Sequence, residues 1–364
     1  MSSVRHLYVH LPFCAHRCGY CDFVTLVGRE GSHAAYVDAL VRELELEREL
    51  LADRLETVFL GGGTPTFTET RALEHLLAAL PPADELTVEA NPETVTPELA
   101  SLLQSAGATR LSLGAQSFRP HLLAVLERRA SPDVVRRAYY TLRDASFDNI
   151  SLDLLYGIPG QRGFDLEADL ADAVALAPDH ISYYELEAKP GTRFTYAHGE
   201  ELARQAAEME PYFERVVDAL VGAGYRWYET ANFCRAGREA QHNLAYWLGR
   251  DYLGVGIGAV STVGGHRWRN APRLAAYVRA LRDRRRPPRE HEELDEPTRL
   301  RERLMLGLRL DQPVPLAEVA TAVDAAALRR LTALGLAARR GNGLVLTSRG
   351  RFLGGAVTAE LLAW

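Results

Sequence analysis

The chain has 364 residues but only four cysteines and three methionines, and nowhere do 18 apolar residues run together. Four cysteines are too few to staple a chain of this length as a disulfide framework. The missing apolar run argues against a membrane-spanning helix. Positive charge is not in excess: 42 Lys and Arg stand against 48 Asp and Glu, a formal net charge of -6. That balance gives no electrostatic case for bulk binding to nucleic acid or to an anionic membrane surface. The opening "MSSVRHLYVHLPFC" lacks a long apolar stretch followed by small residues, so it is not read as an export signal. A cytoplasmic protein with reduced thiols is expected.

What is present is a hydrophobic content of 47%, enough for a sizeable core and more than one domain. Through the first 230 residues short β-rich runs alternate with helical ones. The runs "HLYVHL", "TVFL", "LTVEA", "TRLSLGAQS", "NISLDLLYG" and "HISYYELE" are each followed by a loop and a helical pattern. These six strand–helix units predict an α/β fold with a parallel sheet and right-handed crossovers. Eight units would close a full barrel, so six predict a partly open (βα)6 barrel over residues 1–230. Residues 231–295 form a Gly- and aromatic-rich accessory segment that ends in "RDRRRPPREHEELDEP", read as a solvated linker. Residues 296–364 combine helical patterns with the short β segment "GLVLT", a winged-helix-like module.

Three of the four cysteines stand close together in "HLPFCAHRCGYCDF", at positions Cys14, Cys18 and Cys21. Thiolates select soft or borderline metals, above all zinc and iron-sulfur clusters. A structural zinc site is closed by four ligands, and the fourth here would have to be His10, His16 or the distant Cys234. Three cysteines on the loop after the first strand instead leave a [4Fe-4S] cluster with one iron free for a cosubstrate. The glycines of "GGGTP" after the second strand let backbone approach a ligand closely, though a tight strand-to-helix turn also accounts for them. Glu89, Gln116 and Asp153 fall at or just after later strand ends, the rim where barrels collect active-site groups.

The spacing C-x3-C-x2-C resembles the radical S-adenosylmethionine (SAM) superfamily, in which the amino and carboxylate groups of SAM occupy the open iron. With "YVHLPFCAHRCGYCDF", "GGGTPT", "VEANPE", "LSLGAQSF", "SLDLLYGIPGQ" and "GVGIGAVS", nearly the whole chain resembles oxygen-independent coproporphyrinogen III oxidases and their relatives. The resemblance implies a radical SAM barrel, with SAM contacts at Tyr8, Tyr20, Gly62, Gly63, Thr64, Glu89, Gln116, Arg128 and Asp153. The true oxidases carry a further cysteine two residues after the third; here that position is Phe23. They also carry a longer stretch before the cysteines, whereas the first cysteine here is residue 14. The chain is more similar to the haem-chaperone (HemW) subfamily, whose H-N-x-x-Y-W signature matches "HNLAYW", His242 to Trp247.

That likeness implies haem as a further cofactor and partner, an acceptor among respiratory proteins (some at the membrane), an electron donor and a possible homodimer. His242 is the candidate haem residue, since imidazole is a common axial ligand and Tyr246 and Trp247 can pack on a macrocycle. Equally, His242 and Asn243 can hydrogen-bond loops together while Tyr246 and Trp247 fill core. Two positions depart from the relatives: Ala130 replaces a histidine in "LERRA", and Val260 stands where "GAVS" would carry another. The runner-up function is the oxidase itself. A more distant one is a cluster-sensing DNA-binding regulator, for which "DAAALRRLTALG" offers only the Arg329–Arg330 pair.

Overall fold

The computed structural model describes residues 3–187 and 189–363. Its main sheet has nine strands: β1 (His6–Leu11), β2 (Leu55–Gly62), β3 (Ala83–Ala90), β4 (Arg110–Gln116), β5 (Ile150–Tyr156), β6 (His180–Glu185), β7 (Arg226–Glu229), β8 (Asn232–Cys234) and β9 (Leu253–Val255). Their order is β7-β8-β6-β5-β4-β3-β2-β1-β9. Strands β1 to β6 run parallel, β9 joins β1 in parallel, and β8 and β7 continue antiparallel beyond β6. The sheet does not close, as six strand–helix units predict.

Crossovers follow from helices that begin where the sequence provides a cap. Among them α1 (His33–Leu46), α2 (Thr70–Ala79), α3 (Pro97–Ser105), α5 (Pro132–Asp144), α6 (Gly163–Ala175) and α8 (Met209–Gly222) cover the sheet's outer face, while α4 (Pro120–Val125) and α7 (Arg193–Gln205) pack in a smaller cluster with Leu155, Ile158 and Leu186. The side chains of Glu69, Thr96 and Ser131 accept from the backbone N–H groups of Ala72, Leu99 and Val134, satisfying donors that a helix start leaves orphaned.

Period-2 alternation divides each strand. Leu7, Val9 and Leu11 of β1 are fully buried against helices, as are Leu111 and Leu113 of β4 and Leu152 and Leu154 of β5. The opposite face is polar. His6, Thr57, Glu85, Arg110, Ser151, Asp153, His180 and Ser182 point into the barrel rather than onto the helices.

Three expectations are corrected here. The division at residue 230 falls inside the sheet, because β8 and β9 belong to it. The barrel therefore runs to about Val255, with α9 (Gln241–Trp247) packed beside β2. The supposed linker is only partly solvated. Its second half forms β12 (Arg289–Glu293), which pairs with β11 (His266–Asn270) and through it with β10 (Val260–Val263). Arg289 turns inward onto the buried carboxylates of Glu43 and Glu47, and the largely exposed Arg286 caps Glu47 from outside. The helical pattern after β6 is two helices, α7 and α8, broken at residues 206–208.

After α10 (Leu274–Arg282) and α11 (Glu296–Gly307), the C-terminal residues fold around a second core built on Leu304, Val319, Leu331, Leu344 and Leu361. Three short strands, β13 (Val314–Pro315), β14 (Ala337–Arg340) and β15 (Gly343–Leu346), form an antiparallel sheet in the order β13-β15-β14. Of the Arg329–Arg330 pair, Arg330 is ion-paired with Glu360. No described helix is long and apolar enough to cross a membrane.

Candidate cofactor site

The cysteine loop leaves β1 at Leu11 and returns on itself. Leu26 N–H donates to Pro12 O and Cys14 N–H to Leu26 O, so the loop's two ends are zipped. His10, on the inner face of β1, clamps it from below. Its Nε2 donates to Val24 O at 2.8 Å, which leaves Nδ1 to accept from Tyr8 OH at 3.0 Å. From the far side Phe194 N–H donates to Gly19 O, and the Tyr20 and Phe194 rings meet edge-on at 6.3 Å.

This loop roofs a cavity of about 410 Å³ lined by Cys14, Cys18, Cys21, Tyr20, Gly62, Gly63, Thr64, Glu89, Gln116, Arg128 and Asp153. Eleven sequence-predicted residues thus meet around one space. Tyr8 does not line it; its hydroxyl is spent on His10 and its ring stacks at 6.1 Å on Phe59, which does.

The glycines answer to geometry. Gly62 has φ +110°, and a Cβ there would lie 2.5 Å from the His10 ring. At Gly63 a Cβ would lie 2.6 Å from the Pro12 carbonyl carbon. Any side chain would push the β2 turn off the cysteine loop. Gln116 is itself left-handed at φ +64°, where the pairing of β4 with β5 slips by a residue. Such a backbone costs about 1 kcal/mol or more and needs holding. Asp169 on α6 does this, accepting from Ser117 Oγ at 2.6 Å and Phe118 N–H at 2.7 Å.

Arg128 is the cavity's buried cation. It donates to Asn91 Oδ1 and Gly114 O, both at 2.8 Å, and reaches Cys18 Sγ at 3.7 Å, while its Nε is buried without a partner. Asn91 in turn donates to Thr64 Oγ1 at 2.8 Å. Asn91, Asp169 and His10 are functional supports that motif reading missed. Asn91 lies inside "VEANPE" and His10 inside "YVHLPFC", where the motif suggests only a metal ligand, whereas Asp169 is a buried acid on a helix with no local signal.

Electrostatics here favour neutral groups until a ligand arrives. Burial pushes the Cys14 thiol up to about 11, and raises Cys21 as well. Such thiols become thiolates when a metal supplies the positive charge. Glu89 is pushed up to about 7 by burial first and by Asp153 second, against the Gly62 N–H that donates to it at 3.1 Å. Asp153 is raised by burial despite hydrogen bonds from Ser112 and Ser182.

The residues fit an open cluster. All three thiols are free and face one cavity, with a cation and an unpartnered donor beside them. Among the described residues no three His, Cys, Asp or Glu side chains are grouped to hold one metal ion, the arrangement of a lone structural zinc. Cys234 is buried on β8, paired opposite His180 and away from the cysteine loop.

His242 lies elsewhere. It is 1% exposed, lines no part of this cavity, and has both ring nitrogens engaged: Nδ1 with Thr57 Oγ1 at 2.7 Å and Nε2 with Tyr246 OH at 2.9 Å. Its ring also stacks on Phe59 at 5.1 Å. Trp247 packs under the Arg309 guanidinium at 4.4 Å. Of the two readings of this motif, the geometry matches the one in which it ties elements together. Ligation through His242 would need those bonds broken.

An open parallel barrel with a three-thiol loop over a cavity flanked by the β2 glycines and buried acids defines a radical SAM protein. Residues 8–173 match the radical SAM superfamily, and residues 294–353 match the HemN C-terminal domain. The chain is 38% identical over 368 residues to the heme chaperone HemW of Mycobacterium tuberculosis, covering 98% of this chain and 94% of that protein. It is 33% identical over 378 residues to the heme chaperone HemW of Bacillus subtilis, covering 99% of each. The chain belongs to the HemW family. The structure of Escherichia coli coproporphyrinogen III oxidase, HemN, superposes with a TM-score of 0.83 over 98% of this chain and 90% of that one, at 22% identity. That likeness establishes the shared fold.

Proposed function

We propose that this protein is a haem chaperone that carries a [4Fe-4S] cluster and SAM in the barrel and passes haem to an acceptor protein of respiration. The observation that carries the reading is full-length kinship with two proteins named as heme chaperones, joined to an intact three-thiol cavity. Cys14, Cys18 and Cys21 would hold the cluster; Gly62, Gly63, Thr64, Glu89, Gln116, Arg128 and Asp153 would hold SAM. When bound and reduced, the cluster supplies the electron that can cleave SAM. The chain's own part is to bind and shield. Arg128 offers a cation with a spare N–H, Glu89 an acceptor anchored by Gly62, and the zipped cysteine loop a roof over one side of the cavity. An external electron donor and contact with a membrane-bound acceptor from the surface belong to the same reading, as does a homodimer.

The oxidase reading draws on the shared fold, but Phe23 stands where the extra oxidase cysteine would be, at the edge of the same cavity and 63% exposed. The deciding experiment is anaerobic. Cluster-reconstituted protein is given reductant, SAM and coproporphyrinogen III, and porphyrins and 5′-deoxyadenosine are followed by mass spectrometry. In parallel, haem-loaded protein is mixed with a haem-free respiratory acceptor. Haem transfer without decarboxylated porphyrin is expected. Decarboxylation well above that of a Cys14→Ala variant would replace the chaperone reading with the oxidase.

A further inference from the structure

We infer that helix α9, the H-N-x-x-Y-W segment, is the floor of the cofactor cavity: Asn243 is a wall residue for SAM, and His242 is the strut that sets it there rather than a ligand to haem.

The helix lies across the barrel and separates two spaces. Ala240 and Asn243 line the upper cavity with the thiols, whereas Gln241, Leu244, Ala245 and Leu248 line a second cavity of about 500 Å³ beneath. Neither cavity is lined by His242. Three attachments hold α9 in place. Glu85 of β3 accepts from the N–H groups of Gln241 and His242, each at 3.1 Å. The His242 ring joins Thr57 of β2 to Tyr246 one turn further along α9. Trp247 is covered by Arg309, whose guanidinium is ion-paired at 2.7 Å with the fully buried Glu229.

None of these attachments uses the Asn243 amide, which remains turned to the cavity alongside Ser112, Ser182 and Phe59. An amide presents both donors and acceptors, suited to a polar ligand that descends from the cluster. A haem ligand, by contrast, needs a free ring nitrogen and room for a macrocycle beside it. At 1% exposure, with both nitrogens shared and Phe59 stacked on its face, His242 has neither.

The SAM half of this inference rests on the reading of the cavity under Proposed function, and the test separates the two. SAM binding to cluster-reconstituted wild type, Asn243→Ala and His242→Gln is measured by equilibrium dialysis; haem is titrated into each by its absorption band; and Tm is recorded. Asn243→Ala should weaken SAM binding about 3- to 10-fold, the worth of one hydrogen bond, with iron content, haem band and Tm unchanged. His242→Gln should lower Tm and keep the wild-type haem band and haem affinity. Wild-type SAM affinity in Asn243→Ala would overturn the wall role alone, whereas absent SAM binding in wild type would overturn the functional reading. A lost haem band in His242→Gln at unchanged Tm would overturn the strut. Should the glutamine variant fail to fold, His242→Asn, which retains a donor and an acceptor, carries the same readouts.

Discussion

The two ends of this barrel treat their polar side chains in opposite ways. At the floor two histidines anchor chains of hydrogen bonds. His6 Nδ1, Thr57 Oγ1, His242 and Tyr246 OH form one continuous chain of hydrogen bonds. Ser151, His180 and Tyr228 form another, with both His180 nitrogens in use at 2.9 and 2.8 Å. At the rim, Arg128 Nε has no partner, three thiols outside any disulfide face the cavity with only long contacts (Cys14 Sγ to Thr64 Oγ1 at 3.5 Å, Cys18 Sγ to Arg128 at 3.7 Å), and two glycines hold space open. An unsatisfied buried donor costs about 1–3 kcal/mol. Near the floor Trp247 Nε1 and Thr87 Oγ1 are also buried without a partner, but neither lines a cavity, so an unmet donor beside open space is what marks the rim for a ligand. Polar residues inside a barrel are therefore not equal evidence of function; unmet valence beside a cavity is what distinguishes them.

The hardest way to break the contrast is at the rim. Replacing Cys14, Cys18 and Cys21 together by serine should abolish iron binding while leaving the fold intact, since the loop is held by Pro12–Leu26 backbone bonds and by His10 rather than by the thiols. Iron content and the cluster's visible absorption check the loss, and far-UV circular dichroism checks the fold. A collapse of secondary structure would show that the loop depends on its metal.

At the floor the largest effect should come from the seam with the C-terminal module. Arg309→Ala removes the cation facing Glu229, which is fully buried and keeps only the Ala231 N–H and Asn232 amide as partners. Leaving a buried charge short of its partner is costly. Since the Arg309 side chain is 38% exposed, about 2 kcal/mol is expected, seen as a Tm lowered by several degrees. Iron content after reconstitution should not change. If it falls, rim and floor are coupled more tightly than separate networks imply.

How much of this contrast was legible beforehand follows from its geometry. Each of the six parallel strands announces itself by alternation and ends on a motif loop, so the rim residues could be named from sequence. The floor could not. Strand β9 is three residues with a glycine at its centre, too short to carry a period, yet it pairs with Leu7–Val9 and completes the wall beside β1. Glu43 sits in α1 and Glu47 just past its end, where charge reads as solvent-facing. They are buried because Arg289 and Arg286 return from more than 200 residues away. The motif at His242 was visible, but its orientation was not, since whether an imidazole ligates or braces depends on partners distant in sequence such as Thr57.

A gentler probe is pH. Glu89 carries a folded value of about 7 against an ordinary 4.5, from burial first and Asp153 second. Between those two values the folded chain holds a proton that the unfolded chain has released, so ligand-free stability falls as pH rises through that window and stays penalised above it. The cavity opens to solvent, which trims the effect to about 1–2 kcal/mol. Glu89→Gln should flatten the profile, gaining over wild type at pH 8 and matching it below pH 4. Parallel profiles for the two proteins would mean that the rim carboxylate is already paired in solution.

The smallest effect should come from Phe23, the residue that replaces the extra oxidase cysteine. At 63% exposure it buries little, so Phe23→Ser should shift stability by no more than about 0.5 kcal/mol. It borders the cavity without making a hydrogen bond that a ligand-free network would miss, so the rim's unmet donors and thiols stay as they are. SAM affinity and iron content should therefore hold within twofold. If Phe23→Ser instead weakens haem binding at unchanged Tm, the apolar ring at the mouth is part of the haem surface, and the rim rather than the floor is where both ligands meet.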